Sequence, residues 1–348
     1  MPAAALPAVV RLPHHRTVLP LGPGGRLVGL DPAVALSVAG LPPPLAEMLD
    51  ELHVPSASHL LVARAVERGV PREDAEQLLH DLFEVGALVD AATVTRRAQQ
   101  RAGSTAVVVG RGPLAVGIVT GLVLAGVGTV HTDTGGEVRT TDLGTGYLDA
   151  DQGLDRLAAT RAAVGRLAPG VGTGPPPLRL VADLVVLADE IPQPLRLTTL
   201  HADGIAHLPV RLRDGVGIVG PLVLPGRSTC LICIELQRAA QDQDWPTAAA
   251  QLVGTAGRAD PCCVAATVGL ATAQALAALD GAGPVPPALD ATLELDVAAG
   301  TLHRREWSSD PECHCRAASS PGGASGSGGT YYGCATSAME ADGDTIEQ

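Results

Sequence analysis

The chain has 348 residues and contains no lysine at all. Every fixed positive charge is therefore an arginine, and no site in the protein can use a lysine ammonium group. Acidic residues outnumber the arginines, which gives a formal net charge of −13. Since like charges repel, this balance argues against nucleic acid or an anionic membrane as a partner.

Aromatic residues are also scarce, with one Phe, three Tyr and two Trp. Hydrophobic residues still make up 46% of the chain, so we expect a sizeable core built from Leu, Val and Ala. The N-terminal residues lack the charged start of a secretory signal. Two charge-free stretches, 112–132 and 261–279, are interrupted by Gly or diluted by Ala and Thr, which favours buried elements over membrane spans. A cytoplasmic location is the simplest expectation.

Composition and pattern divide the chain into three predicted regions. Residues 1–95 are predicted to form a winged-helix module, 96–316 an α/β domain, and 317–348 a disordered Gly/Ser-rich tail. In the first region we expect a hairpin of strands at 18–21 and 26–30. Three helices are expected at 45–52, 57–68 and 71–86, followed by a returning wing strand at 87–89. Ser56 is expected to cap the second helix, and an Arg-rich connector is predicted at 90–103.

The second region shows a βαβ pattern. A Val-rich strand at 106–109 leads into Gly110 and Gly112, a helix follows, and the next strand ends at Asp133. In Rossmann-like sheets such a glycine turn binds phosphate and the acid binds a ribose hydroxyl. Pro113 and Ala115 stand where further glycines would let a phosphate approach, so ATP binding is doubtful. Further elements are expected at 113–125, 129–132, 154–167, 184–187, 208–212, 216–224, 261–279, 293–297 and 302–307.

The seven cysteines carry the strongest functional signal in the sequence. Their odd number disfavours a disulfide framework. Cys230 and Cys233 form a Cys-x-x-Cys pair, and Cys313 and Cys315 form a Cys-x-Cys pair. Two short pairs supply the two arms of a tetrahedral zinc site, and four thiolates leave no open position. We therefore predict a structural Zn²⁺; a role for His314, or free thiols without a metal, are the alternatives.

These residues resemble two known families. The segment 107–112, Asp133 and the strand that ends near Asp189 are similar to the ThiF/MoeB ubiquitin-activating-like fold. Segments 220–233 and 310–315 resemble its two zinc arms, the second as found in the branch that serves azole-forming peptide clusters. Residues 15–90 resemble the RiPP recognition element, the PqqD-like winged helix that binds leader peptides. The order of the two modules is that of the leader-peptide-binding partner of YcaO cyclodehydratases.

The resemblance implies a function in binding. The chain would bind the leader segment of a ribosomally made precursor peptide and present it to a YcaO-type cyclodehydratase for azoline formation. The leader would add as a strand to the hairpin edge beside the third helix. A homodimer is also implied. The implied lining residues, each of which could equally belong to the core, are Leu27, Val28, Leu30, Leu78, Leu82 and Val85.

The sequence departs from the family pattern in the residues that would bind ATP. Active members hold the ATP phosphates with an Arg and a Lys, and they hold the magnesium ion with an Asp. Asp189 matches the position of that Asp at the end of a strand. No Lys is available, residues 141–146 lack the expected Asn-and-Arg motif, and Arg161 is the substitute considered. The resemblance therefore implies a scaffold. The alternatives are an active adenylyltransferase that charges a peptide or carrier-protein C-terminus, with Asp189 catalytic, and a metal-stabilised interaction protein.

Overall fold

The computed structural model describes residues 5–281, 284–313, 315 and, for the backbone alone, 330–331. It divides into two compact units, Met1–Gln99 and Gln100–Gln348. The predicted tail at 317–348 lies outside the described residues, apart from 330–331.

The first unit contains two small antiparallel sheets and a set of short helices. One sheet has the order β2-β3-β4 and the other β5-β1-β6. The strands are β1 Val9–Arg11, β2 Val18–Pro20, β3 Arg26–Val28, β4 Leu36–Val38, β5 Ser56–Ala57 and β6 Val89–Asp90, and the helices are α1 Pro43–Glu51, α2 Ser58–Glu67, α3 Arg72–Glu84 and α4 Ala91–Gly103.

The hairpin is confirmed as β2 and β3, whereas β4, the other partner of β3, was not predicted. Residues near the predicted wing form β6, which pairs with β1 instead of the hairpin. Ser56 is not a helix cap: it lies in β5, and α2 begins at Ser58, whose hydroxyl donates to the Pro7 carbonyl at 2.6 Å. The predicted Arg-rich connector is helical over Ala91–Gly103. The winged-helix assignment stays a prediction.

The core of the first unit is built from aliphatic side chains of both sheets and of α1 to α3, among them Val10, Val28, Leu49 and Leu79. The guanidinium of Arg26 donates to both carboxylate oxygens of Asp50 at 2.7 Å, which ties β3 to α1. A bidentate pair of this kind fixes geometry as well as charge.

The second unit is built on a seven-stranded mixed sheet of order β14-β13-β12-β11-β10-β7-β8. Strands β8, β7, β10 and β11 are parallel, and β11 to β14 are antiparallel. A separate two-stranded pair joins β9 to β15. The strands are β7 Thr105–Val109, β8 Thr129–Asp133, β9 Leu180–Val181, β10 Leu184–Asp189, β11 His207–Arg213, β12 Val216–Val219, β13 Ala291–Asp296, β14 Thr301–Glu306 and β15 Thr330–Tyr331.

Six α-helices accompany this sheet in the described residues: α5 Pro113–Leu124, α6 Arg156–Leu167, α7 Pro194–Ala202, α8 Leu231–Gln241, α9 Trp245–Leu252 and α10 Pro261–Asp280, with short 3₁₀ turns at Thr140–Asp142 and Asp149–Asp151. The predicted α/β architecture is confirmed. Three helices, α7 to α9, were missed, and β12 ends at Val219 instead of continuing to 224.

Helix α10 is the one described helix long and apolar enough to cross a membrane by length and composition. It instead packs on α5 and on strands of the sheet. Close approach depends on glycines: a Cβ on Gly217 of β12 would lie 1.9 Å from the Thr267 hydroxyl, and one on Gly121 of α5 would lie 2.8 Å from that of Thr272. The long apolar run is therefore the core helix of the second unit.

Candidate functional site

The glycine turn lies where the parallel strands β7, β8 and β10 end. Because carboxyl ends of parallel strands share one edge of a sheet, this edge is the usual place for ligands in α/β folds. Gly110 donates its N–H to the Asp133 carbonyl at 3.2 Å, so two of the predicted nucleotide residues lie side by side. Helix α5 begins directly after Gly112, with Pro113 in its first turn.

Asp189, the last residue of β10, places its carboxylate on this turn. The carboxylate accepts backbone N–H groups from Gly112 at 2.9 Å, Leu114 at 3.0 Å and Ala115 at 3.1 Å. A helix N-terminus attracts anions through such unpaired N–H groups and the helix dipole. The turn therefore already holds an anion, and that anion belongs to the protein itself.

The glycines of the turn make room for this carboxylate. A Cβ on Gly112 would come within 2.6 Å of Asp189 Oδ1, and one on Gly110 within 2.9 Å of Oδ2. Asp189 is only 5% exposed. Burial raises the pKa of Asp189 to about 6, against the lowering effect of the three N–H donors. It also adopts a positive φ of 68°, uncommon for a residue with a side chain.

A cavity of about 680 Å³ adjoins this turn, and its walls carry cations that the sequence did not reveal. Its lining includes Asp189 and four arginines, Arg111, Arg139, Arg156 and Arg258. Of these, Arg156 is buried and donates to Asp142 at 2.8 Å. The missing lysine therefore does not leave the region without positive charge. Their spacing in the sequence could not have revealed these residues, because Arg156 opens α6 while the other three come from different loops.

Arg161, the substitute considered from the sequence, lies elsewhere. Its Nε donates to the Thr173 carbonyl at 3.1 Å, and it does not line the cavity beside Asp189. Asp133 lines a second cavity, of about 540 Å³, together with Gly110. There it forms an ion pair with Arg196 of α7 at 3.3 Å. A ribose hydroxyl would have to share the Asp133 carboxylate with that guanidinium.

The four predicted metal-ligating cysteines meet in space. Their Sγ atoms all lie within 4.8 Å of one another. The separations are 3.7 Å for Cys230 and Cys233, 3.6 Å for Cys230 and Cys313, and 3.5 Å for Cys233 and Cys315. A tetrahedron of Zn–S bonds of about 2.3 Å has edges of about 3.8 Å. The donor set and its spacing thus fit a metal ion of the zinc type.

The surroundings of the cluster also suit a metal. Three of the four cysteines are buried, and Cys313 is partly exposed. Burial raises the pKa of the Cys315 thiol to about 12, and a bound cation removes this penalty because it stabilises the thiolate. The Cys315 carbonyl lies 2.9 Å from His201 Nε2, which connects the second arm to α7. His314, the alternative ligand, lies outside the described residues.

The six residues implied for leader binding fall into two groups. Val28 and Leu82 are buried in the core of the first unit, and Leu78 packs against that core. Leu30 and Val85 are exposed, by 64% and 56%, and Leu27 is half-buried. The exposed and half-buried members are the ones available to a ligand in this structure.

No family model and no curated protein sequence matches the chain. Solved structures do match it. E. coli MccB with ATP matches with a TM-score of 0.67 and 13% identity, over 88% of this chain and 99% of that one. The chain shares the fold of MccB. The Microcin C7 biosynthetic enzyme MccB in complex with N-formylated MccA gives 0.66 at 13% identity and the same coverage. PaaA gives 0.56 at 14% identity, over 84% of this chain and 99% of that chain.

Proposed function

We propose that this protein binds the leader segment of a ribosomally made precursor peptide and presents it to a YcaO-type cyclodehydratase, without catalysing ATP chemistry itself. Peptide binding is supported by the fold it shares with MccB, which has been solved with the peptide MccA. The YcaO partner rests on the resemblance of the module order and of the second cysteine arm. The homodimer rests on the resemblance to the ThiF/MoeB-like fold, whose members often pair through the α/β domain. Co-purification with the partner and sedimentation of the chain alone test these two points.

The docking place we propose is the β4 edge of the sheet β2-β3-β4. Both outer strands lack a further partner strand among the described residues. Strand β2 contains Pro20, which has no N–H to give to an added strand, whereas β4 contains no proline. An extended peptide that pairs with β4 would gain backbone hydrogen bonds, and exposed Leu30 and Val34 supply apolar surface shortly before that strand.

The test is titration of fluorescently labelled candidate leader peptides with the full chain. Leu30→Asp should weaken binding about tenfold or more, because it places a charge on apolar contact surface. Leu60→Asp is the matched control, since Leu60 is an equally accessible leucine on α2, 53% exposed. Hydrogen exchange at residues 36–38 should slow when the peptide binds. Equal affinity of both variants, with no protection at β4, would contradict the proposal.

The proposal that the chain does not catalyse ATP chemistry rests on one observation. The N–H donors of the glycine turn are bound to the Asp189 carboxylate. A nucleotide phosphate that used these donors would have to displace a buried anion of the same protein. We therefore expect no ATP–pyrophosphate exchange by the purified chain, with or without peptide. The four-cysteine cluster would hold a structural Zn²⁺, which ties the start of α8 to the segment after β14.

The second candidate is ATP-dependent adenylation of a peptide or carrier-protein C-terminus. The arginines around the cavity beside Asp189 favour it, because such cations neutralise phosphate charge. The fold shared with MccB, which has been solved with ATP, also favours it. Peptide-dependent pyrophosphate exchange that disappears in Asp189→Asn would establish this function and overturn the scaffold.

A further inference from the structure

A further cavity of about 590 Å³ in the second unit gathers arginines and both tryptophans of the chain. It adjoins the cavity beside Asp189, with which it shares Asp189, Leu212 and Arg258 among its lining residues. Arg211 and Arg213 come from β11, Arg238 from α8 and Arg305 from β14, while Arg258 lies in the loop before α10. Five guanidinium groups around one cavity are unusual in a chain whose net charge is −13. The cavity is distinct from the cysteine cluster and from the first unit.

Most nearby carboxylates are already bound. Glu294 is shared by two arginines, Arg305 at 2.9 Å and Arg213 at 3.3 Å. Glu235 binds Arg238 at 3.4 Å and accepts the indole N–H of Trp245 at 2.6 Å. These acids hold the arginines in place, but one carboxylate for two guanidinium groups leaves positive charge uncompensated.

The walls of the cavity are aromatic. The guanidinium of Arg238 lies 5.0 Å from the ring centre of Trp245 and 5.5 Å from that of Trp307. Cation–π contacts of this kind fix the arginine and leave its edge N–H groups available. The indole of Trp307 is itself anchored by an N–H donated to Thr292 at 3.1 Å. The walls are therefore rigid, and they offer flat apolar surface beside the positive charge.

Arg211 is the cation without a bound acceptor. Its guanidinium makes no hydrogen bond or ion pair with a residue that the structure describes. Burial, and then the charge of Arg238, lower its pKa to about 10, while the charges of Glu235 and Glu294, neither of which forms an ion pair with it, act in the opposite direction. A desolvated guanidinium without an acceptor is costly, and an added oxyanion would remove that cost. Three aspartates also line the cavity, and none forms an ion pair with Arg211. The carboxylate of Asp189 accepts the N–H groups of the glycine turn, and Asp214 and Asp242 are exposed.

We propose that this cavity binds a small organic anion, with its carboxylate or phosphate oxygens on Arg211 and its apolar part against Trp307. The site does not depend on leader binding by the first unit. A carboxylate could come from the C-terminus of a peptide and a phosphate from a small metabolite, and both present two acceptor oxygens to a guanidinium.

Intrinsic fluorescence of the full chain tests this directly, because its two tryptophans both line the cavity. The probes are inorganic phosphate, the dipeptide N-acetyl-Ala-Leu with a free carboxylate, and the same dipeptide as its amide, each against chloride of equal ionic strength. We expect a saturable change with half-saturation below about 1 mM for phosphate or for the free acid. The amide should give none, and the arm that responds identifies the source of the anion.

Arg211→Gln should weaken the response about tenfold or more, since a charged hydrogen bond is lost, and Arg211→Lys should restore part of it. Arg72→Gln is the control, an exposed arginine paired with Glu76 on the surface. Should Arg211→Gln fail to fold, exposed Arg258→Gln replaces it. An equal response to the acid and to its amide, no response to any of the three probes, or a response that Arg211→Gln or its replacement Arg258→Gln leaves unchanged, would overturn the proposal.

Discussion

The Asp189→Asn substitution tests the competition that sets the charge of the glycine turn. Burial favours the neutral acid, and three backbone N–H donors favour the carboxylate. The balance raises the Asp189 pKa from 3.8 to about 6 in the folded chain. At about 1.4 kcal/mol per pKa unit, ionising the folded protein costs about 3 kcal/mol more than ionising the unfolded chain.

The sign follows from linkage. Between about pH 4 and pH 6 the folded state binds more protons than the unfolded state, so the stability contributed by Asp189 falls as pH rises and is constant above the folded pKa. Asparagine does not titrate. It loses one hydrogen bond at all pH values, because its NH₂ group meets a backbone N–H, at a cost of about 1–3 kcal/mol.

The assay is urea unfolding followed by tryptophan fluorescence, which reports on the second unit because Trp245 and Trp307 both lie there. The stability of the wild type minus that of Asp189→Asn should fall by about 3 kcal/mol from pH 3.5 to pH 7.5, with about half of this change above pH 5. A constant difference would refute the raised pKa. A difference that grows with pH would show that the N–H donors outweigh burial.

Three further outcomes follow from the structure. Cys233→Ser should lower bound zinc from about one ion per chain to a small fraction and reduce the Tm, whereas exposed Cys262→Ser should leave both unchanged, as measured by atomic emission and calorimetry. Burial lowers the pKa of His207 to about 4, so stability is lost as pH falls from about 6.5 towards 4, and His207→Gln should flatten that loss in urea titrations. Gly217→Ala should destabilise the second unit by about 1–3 kcal/mol, because its Cβ would meet the Thr267 hydroxyl, and a Tm equal to wild type would contradict that packing.

The sequence predicted the parts of the second unit that have strong local signals. The run 184–187 has no polar residue, which fits a strand covered on both faces, and β10 is buried along its whole length. The four clustered cysteines were predicted correctly because short pairs such as Cys-x-x-Cys have the spacing of chelating loops. Helices α7 to α9 were missed since Pro194, Cys230 and Pro246 precede or open short segments without a clear apolar period.

The rest could not be found because it depends on residues distant in sequence. Strand β4 is three residues long, and only its pairing with β3 makes it a strand. Asp189 was matched to a metal-binding role from its place at the end of a strand. Its contact with the glycine turn joins residues more than 70 positions apart. The lack of lysine suggested a turn without cations, yet arginines from several loops converge on the adjoining cavity.

The two proposed functions, a non-catalytic scaffold and an adenylating enzyme, therefore differ in what occupies the N–H donors of the turn. The Asp189→Asn substitution distinguishes them, because it should change the affinity for ATP in opposite directions. A tethered carboxylate competes with a free phosphate at a high effective concentration, so it lowers the apparent affinity for any anion that needs the same donors. If Asp189 blocks the turn, Asp189→Asn weakens the internal competitor, and the affinity for ATP measured by calorimetry should rise. If Asp189 serves ATP chemistry through a metal ion, the same substitution should lower nucleotide affinity or turnover. A fall in both nucleotide affinity and turnover, with the fold intact, would refute the proposal of a non-catalytic scaffold, whatever the first unit binds.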